Sequence, residues 1–140
     1  MPEGIYLGFD FGIKRIGVAV GQRLTGNASP LPTLSAKQGI PEWQLVERII
    51  KDWQPSGLVV GLPKRIDDKE QYTTSASRGF ARQLRKRFNL PVHLEDERLS
   101  TKEARAHLFD HGGYRQLQKS NIDSIAACII LEQWLQHPPG

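Results

Sequence analysis

Apolar residues cluster in short runs over the first part of the chain and recur at helical spacing later. Residues 5–11 (IYLGFDF) and 15–22 (RIGVAVGQ) each read as a β-strand, and Gly12-Ile13-Lys14 between them reads as a hairpin turn. A third extended segment runs from Ala28 to Ser35; Pro30 and Pro32 confine it to an edge or an irregular strand. At Pro41 the period changes. Trp43, Val46, Ile49, Ile50 and Trp53 share one helical face, and Pro55 and Gly57 end that helix. Leu58-Val59-Val60-Gly61 is short and wholly apolar, as expected of a strand covered on both faces. Residues 63–74 are polar and read as a loop. A second helix covers about Ser75 to Phe88: Phe80, Leu84 and Phe88 stack at i, i+4 and i+8, while Arg78, Arg82 and Arg85 line another face. Asn89-Leu90-Pro91 breaks it, and Val92 to Asp96 reads as a strand.

Two capping-box patterns follow. Ser100-Thr101-Lys102-Glu103 opens a helix that runs to Gly112-Gly113. Ser120-Asn121-Ile122-Asp123 opens the last helix, with Ile122, Ile125, Ala126, Ile129 and Trp134 on its apolar face and Pro138 and Pro139 at its end. The order predicts an α/β fold, a mixed five-stranded sheet flanked by helices. In open sheets of this kind ligands bind at the carboxyl ends of the strands.

Composition narrows the class. The 140 residues suit one domain, and 39% apolar with 24% charged residues is ordinary for a globular protein. The longest apolar run, Ile125–Leu131, is seven residues, far below the roughly 20 a membrane helix needs. No basic stretch precedes an apolar one near the N-terminus, so no signal peptide is expected. The single cysteine, Cys128, excludes an internal disulfide and a cysteine-based zinc site, and favours a reducing, cytoplasmic location. With 19 Lys+Arg against 15 Asp+Glu the net charge is +4, a weak pointer to polyanionic partners.

Three acidic positions could carry chemistry. Asp10 stands in an otherwise apolar strand, where a carboxylate is costly unless paired, hydrogen-bonded to turn amides or bound to a cation. Glu95-Asp96-Glu97 with Arg98 falls at a strand end; Arg98 serves as a local counter-ion there, or a cation relieves the repulsion. Alternation puts Glu95 and Glu97 on one face and Asp96 on the other, and spacing does not choose among them. Asp123, in the expected first turn of the last helix, completes a cap and favours the helix dipole, or contributes to a site. Converging, the three would hold one or two hard divalent cations, which prefer oxygen ligands and suit phosphodiester cleavage.

The stretches Gly8-Phe9-Asp10-Phe11-Gly12 through Gly21, Val59-Val60-Gly61-Leu62-Pro63, Asp96-Glu97-Arg98-Leu99-Ser100-Thr101-Lys102-Glu103-Ala104, and Asp123-Ser124-Ile125-Ala126-Ala127 with Ile130-Leu131 resemble the motif series of the YqgF family. These are small bacterial proteins of the ribonuclease H-like, RuvC-related superfamily. The resemblance spans nearly the whole chain in order. It implies one ribonuclease H-like nuclease domain over residues 1–140 and metal-dependent nucleic-acid cleavage with Mg²⁺ or Mn²⁺. It further implies maturation of the 5′ end of precursor 16S rRNA, on free RNA or ribosomal particles, with Asp10, Glu97 and Asp123 as the metal-binding acids. After Gly-Leu-Pro, Lys64-Arg65-Ile66-Asp67-Asp68 departs from the Asn-Met-Asp-Gly common in the family.

Other readings stand beside this one. The RuvC relationship suggests branched DNA, which calls for a symmetric dimer, and a monomer or weak homodimer is expected here. A non-catalytic rRNA-binding assembly factor and a phosphotransferase are further alternatives; the second is disfavoured because one domain cannot close around a nucleotide. Lys14, Arg15, Lys64, Arg65 and Arg98 are candidate phosphate contacts, or solvated surface charges. The Arg78, Arg82, Arg85, Lys86 and Arg87 stripe is read as a solvated face or an RNA contact. His107 and His111 have metal-ligand spacing without a third ligand. The tryptophans of the first helix are read as core.

Overall fold

The computed structural model describes residues 4–63, 72–97 and 119–136. The elements are β1 (Ile5–Asp10), β2 (Arg15–Gln22), β3 (Asn27–Lys37), β4 (Ile40–Pro41), α1 (Trp43–Trp53), β5 (Gly57–Pro63), α2 (Tyr72–Phe88), β6 (Val92–Glu97) and α3 (Lys119–Gln136). The strands form one mixed sheet in the order β4-β3-β2-β1-β5-β6. β1, β2 and β3 pair antiparallel as a meander, and β5 and β6 add to β1 in parallel.

The sheet has six strands where five were expected. The extra one, β4, is two residues long and pairs Ile40 with Lys37 and Pro41 with Ala36. Gln38 and Gly39 join it to β3 with φ of 52° and 79°, the doubly positive pair that a two-residue hairpin turn requires. Among the described residues β4 covers only this end of β3, which leaves Pro30 and Pro32 on an edge along most of that strand, where a missing N–H breaks no ladder.

The two faces of the sheet carry separate cores. On one face Leu7, Phe9, Ile16, Val18, Leu58 and Val60 pack against Val46 of α1 and Phe80, Ala81 and Leu84 of α2. Trp43 joins this core by stacking on Phe80 at 5.8 Å between ring centroids, whereas Trp53 is 39% exposed and is not core. Both helices stop at a left-handed residue, Gln54 (φ 47°) and Asn89 (φ 55°), whose N–H groups return to the Ile50 and Arg85 carbonyls. α2 begins at Tyr72, three residues before the expected start.

The other face is covered by α3. Ala127, Cys128, Ile130, Leu131, Trp134 and Leu135 pack on Tyr6, Ala19 and Val59. Of the apolar face expected from the sequence, Ile125, Ile129 and Trp134 are buried and Ala126 is half-buried, and Trp134 belongs to the cluster on the sheet. α3 is apolar around most of its circumference, so its periodicity carries no signal for which side meets the sheet. It begins at Lys119, which makes Ser120 the second helical residue and Asp123 the fifth, beyond the first turn. The capping-box reading of 120–123 is thereby displaced, and Asp123 loses its account as a cap. The expected helix from Ser100 to Gly113, the 64–71 part of the loop and the His107/His111 pair lie outside the described residues. Among the described residues no helix is long and apolar enough to cross a membrane.

Candidate active site

Asp10 closes β1, an interior strand that pairs with β2 on one side and β5 on the other. Alternation along β1 puts Leu7 and Phe9 in the α1–α2 core and Tyr6, Gly8 and Asp10 on the α3 face. Asp10 is half-buried and has interaction partners of its own. Its lateral neighbours are both glycine: Gly17 on β2 and Gly61 on β5.

The parallel pairing of β5 and β6 extends this row. Gly61 pairs with Glu95 and Pro63 with Glu97, so Asp10, Gly61 and Glu95 lie side by side and Glu97 lies one alternation further along. Glu95 and Glu97 share the alternation of His93, whose ring meets Trp134 of α3 at 4.7 Å, so their positions are on the α3 face; Asp96 is on the opposite parity. Gly61 gives up its side-chain space to α3: a Cβ there would lie 2.5 Å from the Ile130 Cδ1. An aliphatic side chain therefore stands over the row between Asp10 and the half-buried Glu95.

α3 runs antiparallel to β1. Its residues Ala127 and Leu131 lie at Gly8 and Trp134 lies at Tyr6, 5.0 Å between ring centroids, so its N-terminal end is at the Asp10 end of the strand. That end is fixed by a buried serine. The Ser124 hydroxyl oxygen accepts the Val18 N–H at 3.1 Å and is 2.9 Å from the Thr33 hydroxyl. Ser124 directly follows Asp123, and Val18 directly follows the Gly17 that pairs with Asp10. The backbone positions of Asp10, Glu97 and Asp123 thus share one face and one end of the sheet. Neither Ser124 nor Thr33 was singled out as a site residue from sequence; for Ser124 the available signal was a hydroxyl directly before the apolar run Ile125–Leu131.

Further along α3, Glu132 accepts the Ala28 N–H at 2.9 Å and Gln136 donates to the Gly26 carbonyl at 3.1 Å. Among the described residues no three His, Cys, Asp or Glu side chains gather as a metal-binding group; the side chains of Glu97 and Asp123 are outside that description.

Of the candidate phosphate contacts, Lys14 and Arg15 are exposed on the hairpin that follows Asp10. The hairpin is braced by the β3–β4 end, because the Lys14 carbonyl accepts the Ala36 N–H at 2.9 Å and the Ile13 carbonyl accepts the Gly39 N–H at 2.8 Å. Lys64, Arg65 and Arg98 lie outside the described residues. On α2, Arg78, Arg82, Arg85, Lys86 and Arg87 are all exposed. Arg85 donates to the Val92 carbonyl at 3.1 Å, and Arg87 lies over the Trp43 ring at 4.2 Å.

Two titrating groups are displaced, both away from this end of the sheet. Burial, aided by Glu132, pushes the Cys128 thiol up to about 12, so it is no nucleophile at neutral pH. Burial lowers the His93 pKa, and the positive charges of Arg23 and Arg85 lower it further. Arg23 lies over the Trp134 ring at 4.4 Å.

Comparison with known proteins agrees with this architecture. A Legionella pneumophila (strain Paris) protein, named a candidate pre-16S rRNA nuclease, is 68% identical over 136 residues, covering 97% of this chain and 98% of the relative. An Escherichia coli O157:H7 (strain EC4115 / EHEC) protein of the same name is 54% identical over 134 residues, covering 96% and 97%. Among solved structures, Thermus thermophilus RuvC in complex with a Holliday junction substrate aligns with a TM-score of 0.57 at 17% identity, over 95% of this chain and 94% of that one. The fowlpox virus resolvase with its Holliday junction DNA aligns at 0.60 and 13%, over 94% and 97%. These two likenesses establish the ribonuclease H-like fold. The family described as RuvX, Holliday junction resolvase, matches residues 4–137, and the chain belongs to that family, as its motif series indicated.

Proposed function

We propose that this protein is a metal-dependent nuclease that hydrolyses phosphodiester bonds during maturation of the 5′ end of precursor 16S rRNA, in the cytoplasm. The observation that carries the reading is the half-buried carboxylate of Asp10 at the carboxyl end of the central strand, at the same end and on the same face as positions 97 and 123. The relatives named as candidate pre-16S rRNA nucleases supply the substrate.

Asp10, Glu97 and Asp123 are the residues that would hold Mg²⁺ or Mn²⁺. Their donor chemistry fits: all three are carboxylates, the ligands that hard divalent cations take, and no imidazole or thiol among the described residues competes at this end. When bound, the metal supplies a Lewis acid that polarises the phosphoryl oxygens and lowers the pKa of an attacking water. Ile130 over Gly61 insulates Glu95 from Asp10, which favours Glu97 as the third acid. Lys14 and Arg15, with Lys64, Arg65 and Arg98, neutralise phosphates on either side of the cut bond and set the strand's register.

The family description favours one other reading, a resolvase acting on branched DNA. One experiment separates them. Purified protein with Mg²⁺ or Mn²⁺ is incubated with precursor ribosomal particles and with a synthetic four-way junction. Cleavage at the 16S 5′ end with the junction left whole is expected. Symmetric cutting of the junction alone would reverse the assignment.

A further inference from the structure

We propose that Ser124 is a positioning residue for the metal site: it ties the helix segment bearing Asp123 to the strand opposite Asp10. The inference rests on the assignment of Asp10 and Asp123 as metal ligands. Between the Ile16–Leu34 and Val18–Leu31 pairs the register of β2 and β3 shifts, so the single residue Gly17 faces both Pro32 and Thr33. Ser124 occupies this irregularity. Its hydroxyl oxygen takes the buried Val18 N–H at 3.1 Å and meets the hydroxyl of Thr33, one of the two bulged residues, at 2.9 Å.

Both partners lie far away in sequence, 106 and 91 residues from Ser124, so this is not the local capping a helical serine ordinarily performs. Ser124 is fully buried, and alanine would suffice for packing there; Ala127, further along the same helix, is equally buried. What the hydroxyl adds is direction. Gly17 pairs with Asp10, Val18 is the next residue, and Asp123 precedes Ser124. The path from one acid to the other therefore runs through a strand pair and a single hydrogen bond. Two carboxylates brought together repel one another before a cation arrives, and the helix end carrying one of them swings away unless it is tied. The tie holds the ligands at their working separation in advance, so the cation does not have to organise them.

The test uses the full chain and Mn²⁺ as probe, with binding followed by calorimetry and by water-proton relaxation. Ser124→Ala is expected to remain folded by circular dichroism and to weaken Mn²⁺ binding by about 10- to 100-fold, the usual cost of losing a group that orients a ligand. The metal concentration for half-maximal cleavage is expected to rise with it, at unchanged KM for nucleic acid. Ser124→Thr restores the hydroxyl and is expected to recover most of the affinity. Thr33→Val, which spares the Val18 bond, is expected to shift binding in the same direction but less. Val46→Ala serves as a control: it lowers stability through the core on the other face of the sheet without touching the tie, and its Mn²⁺ affinity is expected to be that of the parent. A folded Ser124→Ala protein with parental Mn²⁺ affinity overturns the proposal, and so does equal weakening by Val46→Ala. If Ser124→Ala fails to fold, Thr33→Val decides in the same way. A parent chain that binds no Mn²⁺ overturns the ligand assignment itself, and the tie falls with it.

Discussion

Gly8 lies directly under Leu131. A Cβ on Gly8 would sit 2.8 Å from the Leu131 Cβ and 3.2 Å from the Ala127 carbonyl oxygen. The central strand and α3 therefore touch backbone to side chain, two residues before Asp10, and the height of the helix above the sheet is set there.

Gly8→Ala is accordingly expected to lift α3 and to destabilise the fold by about 1–3 kcal/mol, the range for overpacking a filled core. Denaturant unfolding measures it. An unchanged midpoint would mean that the helix can slide at no cost, which would contradict the contact with backbone as well as side chain.

Asp10→Asn keeps the shape of the side chain and removes its charge. Metal-dependent cleavage is expected to fall by about a thousandfold or more, the equivalent of several kcal/mol of lost charge stabilisation. RNA binding, measured by filter retention, is expected to change little, because the variant keeps every basic residue. That affinity is expected to fall as salt rises, through counterion release. Full cleavage by the asparagine variant would refute the site.

Cys128 is expected to resist thiol reagents at neutral pH until the protein unfolds, because its thiol is buried and its pKa stands at about 12. The same shift gives a pH dependence. Below the ordinary value of 9.0 both folded and unfolded chains hold the proton and the thiol contributes nothing to the slope. From about 9 to about 12 only the unfolded chain releases it, so stability falls with rising pH by roughly 1.4 kcal/mol per unit. Cys128→Ala should flatten that part of the curve in chemical denaturation at pH 9 to 11.

His93 works in the opposite sense. Burial and the charges of Arg23 and Arg85 lower its pKa, so the unfolded chain protonates first as pH drops. The contribution is present above the ordinary value of 6.5 and is lost as pH falls through the folded value. Arg23→Gln removes one of the two positive charges, and the His93 ring resonance is expected to titrate at higher pH by NMR. A titration midpoint that stayed put would show that Arg23 does not contribute to the shift.

Much of this was legible in the residues. The first hairpin, the buried run at 58–61, the helix ends before Pro55 and at Asn89 and the confinement of Pro30 and Pro32 to an edge follow from turn chemistry and apolar patterning. β4 was hidden because two residues have no periodicity, and Gln38 is not a residue that announces a positive φ. Of the α3 residues clustered on the sheet the sequence pattern singled out only Trp134, because a helix apolar on most sides has no single stripe to read. Asp10 stood out as a charge within a buried strand. The choice of Glu97 over Glu95 came from family likeness, since alternation gives both the same parity. Ser124 escaped notice because its partners are strand groups that nothing in its own neighbourhood reveals.

The stitches between α3 and the β2–β3 region have a consequence for birth order. The Glu132 carboxylate reaches the Ala28 amide across 104 residues, and Gln136 reaches Gly26 across 110. The meander can pair as soon as it leaves the ribosome, yet one whole side of it stays bare until α3 is synthesised. A nascent chain of this protein consequently carries Asp10 long before it carries the helix that packs on the same face of the sheet.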